Sequence, residues 1–205
     1  MTKIKICGNT RKADVDLAVE LGADLLGFIF GPSKRQITVE DARPLVADLP
    51  STVERVGVFV EEPAEVIART IEACDLTAVQ IYRPITPEDR QLGVTLLPVL
   101  RVRNGEDLDR LRFGATDHPL LDTWAADTTG GGTGQTWNWT KASHLARRYP
   151  ILVSGGLNPQ NVGDAVNRLQ PWGVDVCSGV EAEPRRKDPA KLRAFVAAVR
   201  EADQR

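Results

Sequence analysis

Nearly continuous apolar runs alternate with longer segments of mixed polarity along the whole chain. Runs of this kind, rich in Val, Ile and Leu, are typical of parallel strands that are buried on both faces. The pattern predicts eight strands: Lys3–Cys7, Leu25–Phe30, Arg55–Val60, Ala78–Ile81, Thr95–Val102, Pro119–Asp122, Ile151–Ser154 and Val174–Val176.

The segments between these runs show the helical period. Residues that can pack inward recur at i, i+3, i+4 and i+7, which predicts amphipathic helices. The clearest sets are Ile67, Thr70, Ile71 and Cys74; Val162, Ala165, Val166 and Leu169; and Leu192, Phe195, Val196 and Val199. Asn158-Pro159 and Asp188-Pro189 each predict an N-cap followed by proline at the first helical position. Gly22 predicts the end of the first helix.

Eight strand-then-helix units in 205 residues predict an α/β fold, a single (β/α)8 TIM barrel that spans residues 1–205. The fourth helix is expected to be shortened, because Pro84 and Pro87 leave only Glu88–Leu92 for it. A doubly wound open sheet is the structural alternative. It would need a glycine-rich nucleotide turn after the first strand, and Cys7-Gly8-Asn9-Thr10 is not one.

Composition narrows the class of partner. The formal net charge is -2, which argues against nucleic acid or an anionic membrane surface as the main partner. No apolar run approaches the ~20 residues of a membrane span, and no leader-like segment precedes the first strand. A cytoplasmic location is therefore expected. The three cysteines form no CxxC motif, so no structural zinc site is expected, and Cys74 and Cys177 are expected to be structural.

Chemistry in a barrel of this type is expected at the C-terminal ends of the strands. Cys7 ends the first predicted strand, Gln80 lies in the fourth, and Asp122 ends the sixth, while Arg35 lies in the loop after the second. Because the sequence contains only two histidines, proton transfer is expected to rely on a thiol or on carboxylates. A structural role also suits Cys7 and Asp122, and Arg35 also suits a solvated loop.

A phosphate site is predicted after the last two strands. Gly155-Gly156 allows the backbone to approach a ligand closely, and Ser178-Gly179 offers amides and a hydroxyl. Barrel enzymes often hold phosphate between these two loops. The longest loop, Thr123–Asn138, is glycine-rich and is expected to be a mobile cover over the ligand.

Taken together, the motifs resemble the phosphoribosylanthranilate isomerase family of tryptophan biosynthesis. The resemblance covers nearly the whole chain. It is carried by Lys5-Ile6-Cys7-Gly8, Gly22-Ala23-Asp24, Gly27-Phe28-Ile29-Phe30, Ser33-Lys34-Arg35, Val56-Gly57-Val58-Phe59, Val79-Gln80, Leu120-Leu121-Asp122, Gly131-Gly132-Thr133-Gly134, Ser154-Gly155-Gly156-Leu157, Asn158-Pro159-Gln160-Asn161-Val162, Val174-Asp175-Val176 and Ser178-Gly179-Val180-Glu181.

The resemblance implies an Amadori rearrangement of an N-phosphoribosyl-anthranilate to a 1-deoxyribulose phosphate. It implies that Asp122 is the general acid, that Cys7 is the general base, and that Arg35 faces the anthranilate carboxylate. Gln80 is expected to contact the substrate, and Gly155, Gly156, Ser178 and Gly179 to hold the phosphate. No metal or organic cofactor is implied, and the expected partner is a small phosphorylated substrate, with no obligatory protein partner.

The chain departs from the family pattern at two places. Tyr82-Arg83 stands where the family usually has His-Gly, and Asn9 stands where it usually has Ile. Tyr82 is expected to act by packing and orientation, and Arg83 to point to solvent. Two alternatives remain open: a related barrel isomerase of the histidine pathway or of the bifunctional type, and a barrel that binds a phosphorylated metabolite without catalysis. The first uses aspartate at the end of strand one, where this chain has Cys7.

Overall fold

The computed structural model describes residues 1–102, 108, 112–123 and 142–205, in which eight parallel strands close into a barrel in sequence order. The strands are β1 Lys3–Ile6, β2 Leu25–Ile29, β3 Glu54–Phe59, β4 Ala78–Ile81, β5 Thr95–Val102, β6 Leu120–Thr123, β7 Leu152–Val153 and β8 Gly173–Val176. The TIM barrel that the sequence predicts is confirmed. Because β1 pairs with β8, the open-sheet alternative is wrong.

Helices cover the outside of the barrel. They are α1 Lys12–Glu20, α2 Val39–Val46, α3 Ala64–Cys74, α4 Ser143–Ala146, α5 Val162–Leu169 and α6 Pro189–Ala202. After β4 there is only a 3-10 turn at Asp89–Gln91, as expected for the shortened fourth unit. After β8 the chain makes a 3-10 turn at Ser178–Val180 and then a hairpin that the sequence analysis did not predict, β9 Glu181–Glu183 with β10 Arg186–Lys187.

The two predicted helix caps have different outcomes. Asp188 caps α6, since its Oδ1 accepts from the backbone N–H groups of Ala190 at 2.9 Å and Lys191 at 3.1 Å. The prediction for Asn158 is wrong, because α5 begins at Val162. Asn158 Oδ1 accepts from Gln160 N at 2.9 Å, and Asn158 N donates to Asn161 Oδ1 at 2.8 Å. These bonds hold residues 158–161 as a turn ahead of the helix.

Successive side chains along each strand point alternately toward two apolar cores. One core fills the space between strands and helices and includes Leu26, Phe28 and Phe195. The other is a separate cluster contributed by alternate strand positions: Leu25, Val56, Ala78, Leu97, Leu120 and Leu152. Because side chains two residues apart lie on the same face of a strand, this second cluster fills the barrel interior on the N-terminal side of the strand ends.

Two residues beyond this apolar layer, the interior becomes polar. Gln80, Asp122 and Ser154 follow Ala78, Leu120 and Leu152 at that spacing, and β1 and β8 contribute Lys5 and Asp175 at the same level. All five are buried, with at most 8% of their surface exposed. The barrel therefore places one layer of polar groups directly on an apolar floor.

Two observations complete the description. The predicted cover Thr123–Asn138 lies, apart from Thr123, outside the described residues. In the part of the chain that the structure describes, none of the helices has both the length and the apolar character needed to cross a membrane.

Candidate active site

A cavity opens at the C-terminal ends of the strands, and four of the predicted site residues line it: Cys7, Arg35, Gln80 and Asp122. Its other polar lining residues, which the sequence analysis did not select for the site, are Ser33, Tyr82, Ser154, Asp175 and Cys177. The Cys7 thiol and the Asp122 carboxylate, which come from the ends of the first and sixth predicted strands, therefore share one cavity.

Cys7 lies one residue beyond β1, where its N–H donates to Val176 O of β8 at 2.9 Å. A hydrogen bond from Cys177 lowers the pKa of the Cys7 thiol to about 7, with help from the positive charges of Lys5 and Lys187. Burial and the negative charge of Asp175 act in the opposite direction. A substantial share of Cys7 is therefore thiolate near neutral pH, which is the form that can accept a proton.

Glycine makes room for this sulfur. A Cβ on Gly27 of β2 would lie 2.7 Å from Cys7 Sγ and 3.2 Å from Lys5 Nζ. Both contacts are shorter than van der Waals separation, so any larger residue at position 27 would displace the thiol or the ammonium. This gives a physical reason for glycine in the middle of a buried strand.

Lys5 is the charged centre below Cys7. Its ammonium is fully buried, donates to Asp175 Oδ1 at 2.7 Å, and also hydrogen-bonds Cys7. Although burial alone would lower the pKa of Lys5, the attraction of Asp175 and Cys7 outweighs it and raises the pKa, so Lys5 stays charged. Ser154 Oγ donates to the other oxygen of Asp175 at 2.9 Å. The period-two alternation along β1 and β8 is the sequence signal that could have identified Lys5 and Asp175.

Asp122 is the residue that β6 contributes to the polar layer, and it is 3% exposed. Burial raises the pKa of its carboxyl to about 6, and the nearby charge of Asp175 adds to this effect. Hydrogen bonds from Thr123 N to Oδ1 at 2.8 Å and from Tyr82 Oη to Oδ2 at 3.2 Å stabilise the ionised form and limit the increase. Asp122 can therefore carry a proton at slightly acidic pH.

Gln80 points a polar group into the same space. Its side chain is 1% exposed, and within the described ranges its Oε1 has no hydrogen-bond partner. A buried acceptor of this kind is costly unless a donor reaches it. The amide oxygen is therefore suited to accept a hydrogen bond from a bound molecule.

Arg35 lies at the rim of the cavity in the loop after β2. Its Nε donates to both oxygens of Glu181, at 2.9 and 3.0 Å, and its Nη2 donates to Oε2 at 2.6 Å. Hydrogen bonding to Glu181 raises the pKa of the guanidinium, which stays charged. Glu181 thus holds the Arg35 guanidinium in one orientation beside the cavity. From the sequence this glutamate was apparent only as part of the Ser178-Gly179-Val180-Glu181 motif.

The two predicted phosphate loops pack against each other. Gly155 and Gly156 have φ of +89° and +66°, a conformation that favours glycine. A side chain on Gly179 would overlap Leu157 O of the loop after β7, and one on Gly155 would overlap Thr123 at the end of β6. The structure therefore brings these glycines and Ser178 together at one side of the barrel mouth.

The loop after β7 is held by a side chain that the sequence analysis did not select. Asn161 Nδ2 donates to Gly156 O at 3.0 Å, while its Oδ1 accepts from Asn158 N at 2.8 Å. The nitrogen and the oxygen of the Asn161 side-chain amide thus both fix the turn that carries Gly156. The Asn158-Pro159-Gln160-Asn161 motif positions the loop rather than starting a helix.

The departures from the family pattern have distinct structural roles. Tyr82 hydrogen-bonds Asp122, and the Arg101 guanidinium lies 5.1 Å from the centre of the Tyr82 ring.

The expectation that Arg83 points to solvent is wrong: its side chain is 12% exposed and makes two hydrogen bonds to Asp89, which is fully buried. Asp89 is the first residue of the 3-10 turn after β4, and Arg83 neutralises its buried charge. Asn9 is buried and donates to Ile6 O and Gly27 O.

Among the described residues, no group of three or more His, Cys, Asp or Glu side chains is arranged to hold a metal ion.

Comparison with known proteins identifies the family. The family model described as N-(5'-phosphoribosyl)anthranilate (PRA) isomerase matches residues 4–198. The chain belongs to this family. An N-(5'-phosphoribosyl)anthranilate isomerase from Pelobacter propionicus is 40% identical over 204 residues, which are 98% of this chain and 97% of that protein.

Solved structures agree with the sequence relationship. Phosphoribosyl anthranilate isomerase from Thermotoga maritima superimposes with a TM-score of 0.88 and 37% identity, over 98% of this chain and 100% of that one. A second structure is of phosphoribosyl anthranilate isomerase in complex with reduced 1-(o-carboxyphenylamino)-1-deoxyribulose 5-phosphate. It has a TM-score of 0.85 and 35% identity, over 98% and 100% of the two chains. The expected enzyme class, a tryptophan-pathway isomerase, is confirmed.

Proposed function

We propose that this barrel converts N-(5'-phosphoribosyl)anthranilate into 1-(2-carboxyphenylamino)-1-deoxyribulose 5-phosphate, with Asp122 as general acid and Cys7 as general base. One observation carries the assignment. The two side chains line one cavity, and their surroundings move the pKa of the thiol down to about 7 and that of the carboxyl up to about 6. A base whose pKa is lowered toward neutral pH and an acid whose pKa is raised toward it suit acid–base catalysis.

The first step opens the ribose ring. The carboxyl of Asp122 gives its proton to the ring oxygen, and the bond between this oxygen and C1 breaks. The nitrogen lone pair forms a C1=N double bond, so the product is a positively charged Schiff base and Asp122 becomes a carboxylate. The hydrogen bonds from Thr123 N and Tyr82 Oη stabilise that carboxylate as it forms.

The second step removes the proton from C2. The Cys7 thiolate accepts it, and the electrons of the C–H bond form a C1=C2 double bond while the electrons of C1=N return to nitrogen. The resulting enolamine tautomerises to the ketone: its hydroxyl gives a proton to water and C1 takes one from water, while Asp122 regains its proton and Cys7 releases the one it accepted. In total, protons leave C2 and its hydroxyl and protons are added to C1 and the ring oxygen, so the reaction is an isomerisation with the substrate nitrogen as electron sink.

Binding groups surround this pair. Arg35 provides the fixed positive charge at the rim for the anthranilate carboxylate, and Glu181 holds its guanidinium in place. Gln80 Oε1 accepts a hydrogen bond from a ribose hydroxyl, which would satisfy its buried oxygen. The phosphate lies against the paired loops that carry Gly155, Gly156, Ser178 and Gly179, and the complex of a relative with a reduced form of the product supports a ligand of this chemical type.

The reaction needs no other partner in this account. Residues 1–205 act as one barrel domain on a small phosphorylated molecule, without nucleic acid, membrane or an obligatory protein partner. We place the reaction in the cytoplasm, where the three free cysteines would stay reduced.

The assay that tests the function uses the purified protein and N-(5'-phosphoribosyl)anthranilate. We expect conversion to the deoxyribulose phosphate without added metal, and growth of a tryptophan auxotroph that lacks this isomerase when the chain is expressed in it. A folded protein that binds the substrate without converting it, and that fails to restore growth, would support the non-catalytic alternative instead.

A further inference from the structure

Two cysteines, Cys7 and Cys177, lie at the ends of neighbouring strands at the mouth of the barrel. In the register of β1 and β8, Lys5 pairs with Asp175 and Ile6 pairs with Val176. Cys7 and Cys177 follow these pairs by one residue, and both line the active-site cavity. The thiol pair therefore stands directly above the buried Lys5–Asp175 ion pair, on the same face of the same two strands.

The backbone around the thiols is fixed from outside the barrel. Lys187 of β10 is buried, and its ammonium donates to Cys7 O at 2.6 Å and to Cys177 O at 3.2 Å. A Cβ on Gly8 would lie 2.9 Å from Cys177 Sγ, so glycine at this position leaves the space that the second sulfur occupies. Lys187 thus ties together the backbone at the two cysteines, and Gly8 leaves room for the second sulfur.

We propose that Cys177 is a positioning residue for this isomerisation, whose thiol donates a hydrogen bond to Cys7 Sγ and stabilises the thiolate that takes the C2 proton. The inference rests on the proposed role of Cys7 as base. Cys177 has no proton transfer of its own to the substrate in this account.

The direction of the hydrogen bond follows from the charges around it. Cys7 receives a hydrogen bond from the Lys5 ammonium, whereas Cys177 receives none from a cation in the described residues. The same contact lowers the pKa of Cys7 and raises the pKa of Cys177, so Cys177 keeps its proton and is the donor. The titratable groups that act on Cys7 come from β1, the loop after β2, β8, the segment after β8 and β10: Lys5, Arg35, Asp175, Cys177 and Lys187.

The consequence is a base that is available near neutral pH. An ordinary cysteine, with a pKa of ~8.5, is largely protonated there and a poor base. A neutral donor next to the sulfur stabilises the thiolate and leaves the charge of the site unchanged. A second cation there could instead attract the substrate carboxylate or phosphate away from its place.

The test uses variants in which Cys7 is the sole thiol. The chain has three cysteines, so Cys74→Ala with Cys177→Ala leaves Cys7 alone, and Cys74→Ala with Cys177→Ser adds back a hydroxyl donor. Cys74 lies on α3 away from the cavity, and Cys74→Ala is the control. The thiolate of Cys7 is titrated by its ultraviolet absorbance and by the pH dependence of its alkylation with iodoacetamide, and kcat/KM is measured across the same pH range.

We expect the Cys177→Ala protein to form the Cys7 thiolate at higher pH than the Cys177→Ser protein. At about pH 6 its kcat/KM should be at least ~3-fold lower than that of the Ser variant, with KM little changed. Equal titration of Cys7 in the two variants, with equal pH profiles, would overturn the inference. The base assignment is tested separately, because normal turnover in Cys7→Ala would reject the proposed function whatever the result at position 177.

Discussion

The phenol of Tyr82 donates a hydrogen bond of 3.2 Å to Oδ2 of Asp122. This tyrosine stands where the family pattern has histidine, and its role in packing and orientation stays a prediction. A donor at this place stabilises the ionised carboxylate and so limits the increase in the pKa of Asp122. Tyr82 therefore affects the acid through its charge state and its orientation.

Removal of this bond has a defined effect on pH dependence. We expect Tyr82→Phe to raise the pKa of Asp122 further and so to move the pH at which kcat/KM is highest upward. Tyr82→His keeps a donor and should change kcat/KM by less than about tenfold, or ~1.4 kcal/mol. Tyr149→Phe is the matched control, since Tyr149 packs on Phe113 and is the other tyrosine of the chain. A loss above a hundredfold in a folded Tyr82→His protein would assign Tyr82 a chemical role.

The acid is tested by Asp122→Asn, which keeps the shape of the side chain but cannot donate a carboxyl proton. We expect kcat to fall by ~10²-fold or more with little change in KM. Asp164→Asn, an exposed position on α5, serves as the control for the same chemical change. If substrate affinity collapsed while turnover at saturation stayed normal, Asp122 would be a binding residue.

The phosphate loop is tested at Gly156. Gly156→Val places a branched side chain at φ +66° and blocks the approach of the loop backbone to the phosphate. We expect KM for the substrate and the inhibition constant of inorganic phosphate to rise together, each by at least about tenfold.

The matched control for that variant is Gly22→Val. Gly22 has φ +80° and open space around the position of a Cβ, and it lies before β2 at the opposite end of the barrel. Both variants should lose stability because of the backbone strain, whereas only Gly156→Val should weaken phosphate binding. Equal phosphate affinity in the two variants would place the phosphate elsewhere.

How much of this site the sequence could predict depends on the distance along the chain over which each interaction acts. The alternation of apolar runs identified all eight strands, and because the barrel brings all strand ends to one face, Cys7 and Asp122 could be placed in one cavity. The shortened fourth unit followed from Pro84 and Pro87. These features depend on local sequence and on a fold whose geometry is general.

The partners of those residues depend on contacts that no local pattern encodes. Lys187 reaches Cys7 O across 180 residues, and Glu181 reaches Arg35 across 146. Both come from the hairpin after β8, which was not predicted because its two strands are only three and two residues long. Cys177 was expected to be structural because its neighbour, Cys7, lies far away in the sequence. The two residues become neighbours only when β1 pairs with β8 and closes the barrel.

The pH dependence of the enzyme follows from the two pKa values. Catalysis needs the Cys7 thiolate, which is lost as pH falls below about 7, and the Asp122 carboxyl, which loses its proton as pH rises above about 6. We expect kcat/KM to be highest between these values and to fall on both sides. A rate that kept rising through pH 9 would rule out this pair, and circular dichroism over the same range controls for unfolding.

The central claim is that Cys7 is the base, and the turnover number of Cys7→Ala tests it most directly. The measurement is kcat of Cys7→Ala relative to Cys74→Ala, a buried thiol on α3 outside the cavity, in proteins with the same circular dichroism spectrum. We expect Cys7→Ala to lose at least ~10²-fold while Cys74→Ala stays near normal. A folded Cys7→Ala protein with near-normal turnover would contradict the account.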